Sequence, residues 1–329
     1  MIPTPDGVIL KRGTTEVAIS GTGAAGAVDE LVKRVGQGST RAALCAEFDP
    51  EDRPAIEALI DSLLASRLFR TGSESDPPDR DESNLDVWYW QFEQTRAERS
   101  RAMATITTVL VGNNAITRRI RQTLLAADGP APWLVDDPTL NSLSMPESEP
   151  EPAGAPARRL TRDAWLAEQP TEKQCLVAAS EFGNLKALME WNRLCVERDC
   201  FFLPILLQNS LGYLGPLVVP GETACLDCVR TRWNAGFDEA NQTRRAIEEV
   251  PAEGQRFIGF HPAMPALLGE LGALELTKFF GPGLPHRKAG VQIEIDLLAP
   301  RMTTRNILKV PRCPSCSPLR TRVSGSARR

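Results

Sequence analysis

The stretch Ile106-Thr-Thr-Val-Leu-Val-Gly112-Asn-Asn-Ala-Ile-Thr117 sets the architecture of most of this 329-residue chain. Its first six residues are all β-branched or aliphatic, the composition of a strand buried on both faces. A glycine turns the chain, and Thr117 to Ala127 reads as a helix. Trp133-Leu-Val-Asp136 is the next strand, which completes a βαβ unit and implies parallel pairing. The pattern then recurs. Cys175-Leu-Val-Ala-Ala179 and Phe201-Phe-Leu-Pro-Ile-Leu-Leu207 are buried strands flanking a helix from Leu185 to Arg198. A helix from Ala263 to Phe280 precedes strands at Val291 to Leu298 and Arg305 to Val310. Residues 84–317 are therefore expected to form an α/β domain on a doubly wound, mostly parallel sheet. An amphipathic helix over Asn84 to Arg101 would open it, docking through Val87, Trp88, Trp90 and Phe92.

In such a sheet the first strand runs into a glycine-rich turn where the backbone can approach a phosphate at a helix N-terminus. Here the turn is Val111-Gly112-Asn113-Asn114-Ala115-Ile116-Thr117. Gly112 is the one glycine of a G-x-G-x-x-G pattern that is kept; Asn114 stands at the second and Thr117 at the third. An Asn side chain at the point of closest approach obstructs a pyrophosphate, so a structural turn is favoured over a nucleotide site. Asp136 sits where a ribose-binding carboxylate would sit, although Asp136-Asp137-Pro138 is also a common turn opening.

Two Cys-x-x-Cys pairs, Cys225-Leu-Asp-Cys228 and Cys313-Pro-Ser-Cys316, lie beside turn signals at Pro220-Gly221, Pro311 and Pro314. One pair alone could be a redox disulfide, but two pairs in one chain favour a four-thiolate zinc site. Such a site has no open coordination position, so the zinc, one per chain, is expected to be structural. Cys45, Cys175, Cys195 and Cys200 lie in apolar runs and read as reduced, buried thiols of a cytoplasmic protein. The two histidines, His261 and His286, adjoin prolines and are assigned to loops.

Residues 1–71 form a module of their own. Gly7 to Lys11 and Glu16 to Ser20 read as a hairpin. Helices follow at Ala24–Val35, Thr40–Phe48 and Asp52–Ser66, and a short closing strand at Arg67–Thr71. This order is that of a winged helix-turn-helix. Residues 72–83 are an acidic, proline-broken linker, 146–156 a second low-complexity stretch, and 318–329 a basic, flexible tail. A net charge of -4 argues against a nucleic-acid partner. Thr40–Phe48 offers Arg41 alone to a DNA groove, which sets a DNA-reading regulator aside. The opening residues lack a signal-peptide pattern, and no run approaches the roughly 18 apolar residues of a membrane span, so no membrane association is expected.

The α/β domain with its two cysteine pairs, the first introduced by Gly215-Pro-Leu-Val-Val-Pro-Gly-Glu-Thr-Ala-Cys225, resembles the ThiF-type superfamily of ubiquitin-activating-enzyme-like adenylyltransferases. Active members carry an intact glycine-rich loop, an Asn and an Arg-Gln pair after the ribose aspartate, and a magnesium-binding Asp after a later strand. Here Asn141-Ser-Leu-Ser-Met145 has no Arg-Gln, and Ala179-Ser180-Glu181-Phe182 stands where the late Asp would be. The resemblance therefore implies a catalytically silent relative with a vestigial nucleotide loop at Gly112, Asn114 and Asp136 and no ATP cofactor.

With the N-terminal module included, the chain resembles the leader-peptide-binding partner proteins of thiazole/oxazole-modified peptide pathways. Pro5-Asp-Gly-Val-Ile-Leu-Lys-Arg-Gly13, a hairpin, and helices ending in Leu64-Ala-Ser-Arg-Leu-Phe69 are similar in style to a RiPP recognition element, related to PqqD-type peptide chaperones. The resemblance implies a precursor leader peptide as one partner and a YcaO-family cyclodehydratase as another. A homodimer through the ThiF-like domain is a further expectation. The leader groove would lie between the hairpin (Val8, Leu10, Val17, Ile19) and the third helix (Ile56, Leu59, Ile60, Leu63), with Arg53 and Arg67 at its flanks. Most of those apolar residues must also build the module's own core. The alternative function is an active ATP-dependent carboxylate adenylyltransferase.

Overall fold

The N-terminal hairpin forms because Val8, Leu10, Val17 and Ile19 recur at every second position and so share one face, and a two-residue loop at Gly13-Thr14 closes it, Gly13 taking φ +57°. We describe a computed structural model of the chain over residues 1–36, 38–69, 71–72, 83–142, 158–169, 172–235, 259–281, 283–284 and 289–317. The chain divides into two compact units, Met1–Arg96 and Ala97–Arg329. The acidic stretch 73–82, the low-complexity stretch 146–156, His286 and the basic tail lie outside the described residues.

In the first unit, β1 (Ile2–Thr4), β2 (Gly7–Arg12) and β3 (Thr15–Ser20) make an antiparallel sheet with β2 in the middle. Helices α1 (Ala24–Val35), α2 (Arg41–Ala46) and α3 (Arg53–Ala65) cover it. The Thr40 hydroxyl caps α2 by accepting from Ala43 N at 3.2 Å. Leu31, Leu44, Cys45, Ile56 and Ile60 form one cluster of the core, and Val8, Leu10, Val28 and Leu63 form the other. The closing strand expected at Arg67–Thr71 is not formed by the described residues there. Arg67 adopts φ +62° and Phe69 N–H reaches back to Leu63 O at 3.0 Å, so the chain folds onto the end of α3 and packs Leu68 and Phe69 inward.

The single helix expected over Asn84–Arg101 is two, α4 (Asn84–Trp90) and α5 (Arg96–Ala104), with Glu93 at φ +61° between them. Helix α4 belongs with the first unit. Its capping box pairs Ser83 with Asp86, Arg12 lies 4.5 Å over the Trp90 ring, and Gln91 packs where a Cβ on Gly13 would sit.

The second unit carries an eight-stranded sheet in the order β11-β10-β9-β8-β7-β4-β5-β6. The strands are β4 (Thr107–Val111), β5 (Trp133–Asp136), β6 (Arg159–Thr161), β7 (Gln174–Ser180), β8 (Phe201–Gln208), β9 (Leu211–Leu214), β10 (Val291–Asp296) and β11 (Arg301–Asn306). The run from β8 to β6 is parallel and the last three strands are antiparallel. All seven residues of β7 are buried, as a central parallel strand requires. Helices α7 (Arg162–Ala167), α8 (Leu185–Glu197) and α9 (Leu226–Ala235) contribute to the core cluster on one face, and α6 (Ala115–Ala126) and α10 (Ala263–Phe280) to that on the other. Gly269 lets α10 approach α6 closely: a Cβ there would lie 2.8 Å from Ile116 O.

The last strand is shifted from its expected position at Arg305–Val310. Asp296 Oδ1 accepts the N–H groups of Leu298 and Ala299 at 3.0 Å each, closing a tight turn, and β11 starts at once against β10. Residues 307–310 then leave the sheet for the cysteine cluster. Among the described residues, no helix is long and apolar enough to cross a membrane.

Candidate functional site

Chain order fixes where a ligand would be sought in the second unit. Strand β4 has β5 on one side and β7 on the other, so connections diverge at its C-terminal end and open sheets of this kind bind ligands in the crevice there. In this chain the turn at that point is tied down by its own groups. Gly112, at φ +85°, is held against Leu140: a Cβ on it would lie 2.7 Å from Leu140 Cβ and 2.9 Å from Leu140 O. Asn114 is fully buried at the N-cap of α6. Its Oδ1 accepts from Thr117 N at 3.0 Å, and its Nδ2 donates to Leu140 O at 2.9 Å and to Ala179 O, at the end of β7, at 2.8 Å. The Thr117 hydroxyl accepts from Asn114 N at 3.1 Å and donates to Gly112 O at 2.8 Å. The two residues that replace glycines thus tie the ends of β4, β7 and the β5 loop into one knot.

The helix N-terminus itself already has an acceptor. Glu181, buried just after β7, takes the Ala115 N–H on one carboxylate oxygen. Burial raises its pKa above the ordinary carboxylate value, an effect opposed by the bonds from Ala115 and Ser142 and by the Arg118 charge. Asp136 is exposed, as a ribose ligand would be, but its Oδ1 accepts from Asn141 Nδ2 at 2.9 Å, and Asn141 Oδ1 accepts from Asn113 N at 2.7 Å. The neighbouring Asp137 is buried and accepts from Trp191 Nε1 at 2.6 Å and from Thr139.

The four cysteines of the two pairs converge. Cys225 Sγ lies 3.6 Å from Cys313 Sγ and 4.0 Å from Cys228 Sγ, Cys228 Sγ lies 3.4 Å from Cys316 Sγ, and all four sulfurs fall within 4.8 Å of one another. A tetrahedron with bonds of about 2.3 Å to zinc has edges of about 3.8 Å, and the three sulfur separations given above lie within about 0.4 Å of that, so the cluster fits a zinc ion. Val310 N donates to Cys228 Sγ at 3.4 Å, as a knuckle backbone does to a thiolate. Bound there, zinc would have four thiolates, no position for water, and a role in joining the start of α9 to the chain after β11. The remaining cysteines of this unit, Cys175, Cys195 and Cys200, are buried, and burial pushes their thiols up in pKa, away from reactivity.

In the first unit, Val8, Leu10, Ile56, Ile60 and Leu63 are buried in the core, whereas Val17 and Ile19 on β3 and Leu59 on α3 are half-buried at its rim. Arg53 is exposed and donates to Phe48 O at 3.2 Å; Arg67 is exposed and pairs with Glu93 at 2.5 Å. In the sequence, the stretches that hold Asn141 and Glu181 stand out only for the family residues they lack; Glu181 meets Ala115 across 66 residues and Asn141 meets Asn113 across 28, separations that no local pattern marks.

No family model matches the sequence, and no curated protein matches it. Solved structures do. A heterocyclase in complex with substrate and cofactor aligns over 96% of this chain and 38% of its own, at 14% identity and TM-score 0.58. The heterocyclase TruD aligns over 98% of this chain and 42% of its own, at 15% identity and TM-score 0.59. The chain thus spans about two fifths of these heterocyclases. The microcin C7 biosynthetic enzyme MccB, in complex with N-formylated MccA, aligns over 95% of this chain and 96% of its own, at 16% identity and TM-score 0.62. The E. coli MccB has also been solved with AMPCPP and MccA. The chain shares the mixed α/β fold of these proteins over 95% to 98% of its length.

Proposed function

We propose that this chain is a non-catalytic adaptor in ribosomal peptide natural-product biosynthesis. It binds the leader of a precursor peptide through a RiPP recognition element in the first unit. A ThiF-like, zinc-stapled second unit presents the core peptide to a YcaO-type cyclodehydratase that makes azolines. The observation that carries the non-catalytic part is the tied-down turn: Asn114, Leu140 and Glu181 occupy the place where a triphosphate would meet the end of β4 and the start of α6. A phosphate arriving there meets a buried carboxylate in place of free N–H donors. The peptide-binding part is supported by a fold shared with proteins solved on heterocyclase substrate and on MccA.

β3 is an edge strand, so its outward backbone groups can pair with an extended leader while Val17, Ile19 and Leu59 receive alternate side chains. The test is fluorescence polarisation of a labelled leader peptide against the full chain. Saturable binding that Val17→Asp weakens at least tenfold is expected; no binding refutes the adaptor role.

The second reading, an ATP-dependent carboxylate adenylyltransferase, is favoured by the AMPCPP in MccB. ATP–pyrophosphate exchange by the purified chain supports that reading, and its absence together with no nucleotide binding by calorimetry removes it.

A further inference from the structure

Asp227 lies inside the first cysteine pair and is fully buried, an expensive place for a carboxylate unless donors surround it. They do. The Ser315 hydroxyl, from inside the second pair, donates to Asp227 Oδ2. Arg193 donates to both carboxylate oxygens at 3.3 and 3.4 Å, Asn192 Nδ2 lies 3.4 Å from Oδ2, and Arg230 lies 3.9 Å from Oδ1. Asn192 also accepts the Leu226 N–H at 3.0 Å, and Thr231 donates to Asp227 O at 2.8 Å. One carboxylate therefore joins α8, the start of α9 and the turn that carries Cys313 and Cys316. Of these contacts only the Ser315 bond spans the two knuckles directly, across 88 residues of chain.

We propose that Asp227 and Ser315 are positioning residues for the metal site. Their bond holds the second knuckle against the first, so the four sulfurs are gathered before an ion arrives and the ion cannot leave by one knuckle swinging away. The proposal rests on reading the cysteine cluster as a metal site. A group that orients ligands from behind typically contributes about 10- to 100-fold in metal affinity.

The test uses the full chain loaded with zinc, with release into excess colorimetric chelator followed in time, and loaded with cobalt(II), whose visible spectrum reports tetrahedral thiolate geometry. Ser315→Ala is expected to release zinc about 10- to 100-fold faster and to broaden the cobalt bands, Ser315→Thr to restore both by keeping the hydroxyl, and Asp227→Asn to resemble Ser315→Ala. If Asp227→Asn does not fold, the two Ser315 variants decide the matter alone. Release from Ser315→Ala within twofold of the unmodified chain overturns the role, as does Ser315→Thr releasing as fast as Ser315→Ala. An unmodified chain that takes up neither zinc nor cobalt overturns the metal site itself.

Discussion

Replacing Asn114 by Ala separates a structural turn from a ligand-binding one. The side chain makes three buried hydrogen bonds to backbone groups, to Thr117 N, Leu140 O and Ala179 O. Loss of the N-cap costs about 1 kcal/mol. Each carbonyl left buried without its donor costs about 1–3 kcal/mol. The sum is about 3–7 kcal/mol, a large part of the roughly 5–15 kcal/mol that holds a domain folded. For a unit of this size it lowers the melting temperature by roughly 6 °C at the least, at about 2 °C per kcal/mol.

The assay is denaturant unfolding followed by tryptophan fluorescence, because Trp165 and Trp191 are buried in the second unit and report its transition. Asn113→Ala is the internal control. Asn113 is the exposed neighbour whose Oδ1 accepts from Arg118 Nε at 3.2 Å, and its loss should stay within about 0.5 kcal/mol. An Asn114→Ala cost below about 1 kcal/mol, or one equal to that of Asn113→Ala, refutes the reasoning. An asparagine kept for a ligand is dispensable to the empty fold, whereas one that joins two strand ends and a helix is not.

Four further outcomes are expected. Gly112→Ala must force a side chain into φ +85° and into Leu140, and should destabilise the second unit by at least about 2 kcal/mol by the same assay. Elemental analysis should find one zinc per chain, and Cys313→Ser should lose it and lower the melting temperature of the second unit while leaving leader binding intact. Burial raises the Glu181 pKa above 4.5, so the folded state binds that proton more tightly than the unfolded chain; the stability it confers is present below pH 4.5 and is lost as pH rises through the raised value. Glu181→Gln does not titrate, so unfolding free energies from acid toward neutral pH should shift in the variant's favour, and a constant difference contradicts the assignment. In the first unit, Ile60→Ala should cost about 2–5 kcal/mol by leaving a cavity, whereas Leu59→Ala at the rim should weaken leader binding more than it weakens the fold.

What could be read in the chain, and what could not, divides by the range of the interactions. β7 is a continuous apolar run because both its faces are covered, and the cysteine pairs declare themselves because a knuckle needs its two sulfurs three residues apart. Each of these signals is local. The helix break at Glu93 and the turn at Arg67 depend on non-glycine residues adopting positive φ, for which composition carries no mark. The displaced β11 follows from a turn at Asp296 that sets a register one cannot count from hydrophobicity.

The turn after β4 is the instructive case. The missing glycines were visible, and they indicate that a phosphate fits poorly, but a poor fit in an open crevice could be relieved by a small movement of the loop. What restrains such a movement lies elsewhere in the sequence: Leu140 and Ala179 accept from Asn114 across 26 and 65 residues, and Glu181 reaches Ala115 across 66. A nucleotide that displaced these groups would break those bonds and expel a carboxylate from a helix N-terminus, at a cost of several kcal/mol set by the same desolvation and capping energies that hold the unit together. On the proposed reading, loss of the glycines weakens nucleotide binding, and the bonds that Asn114 and Glu181 make at the turn add a further cost to it.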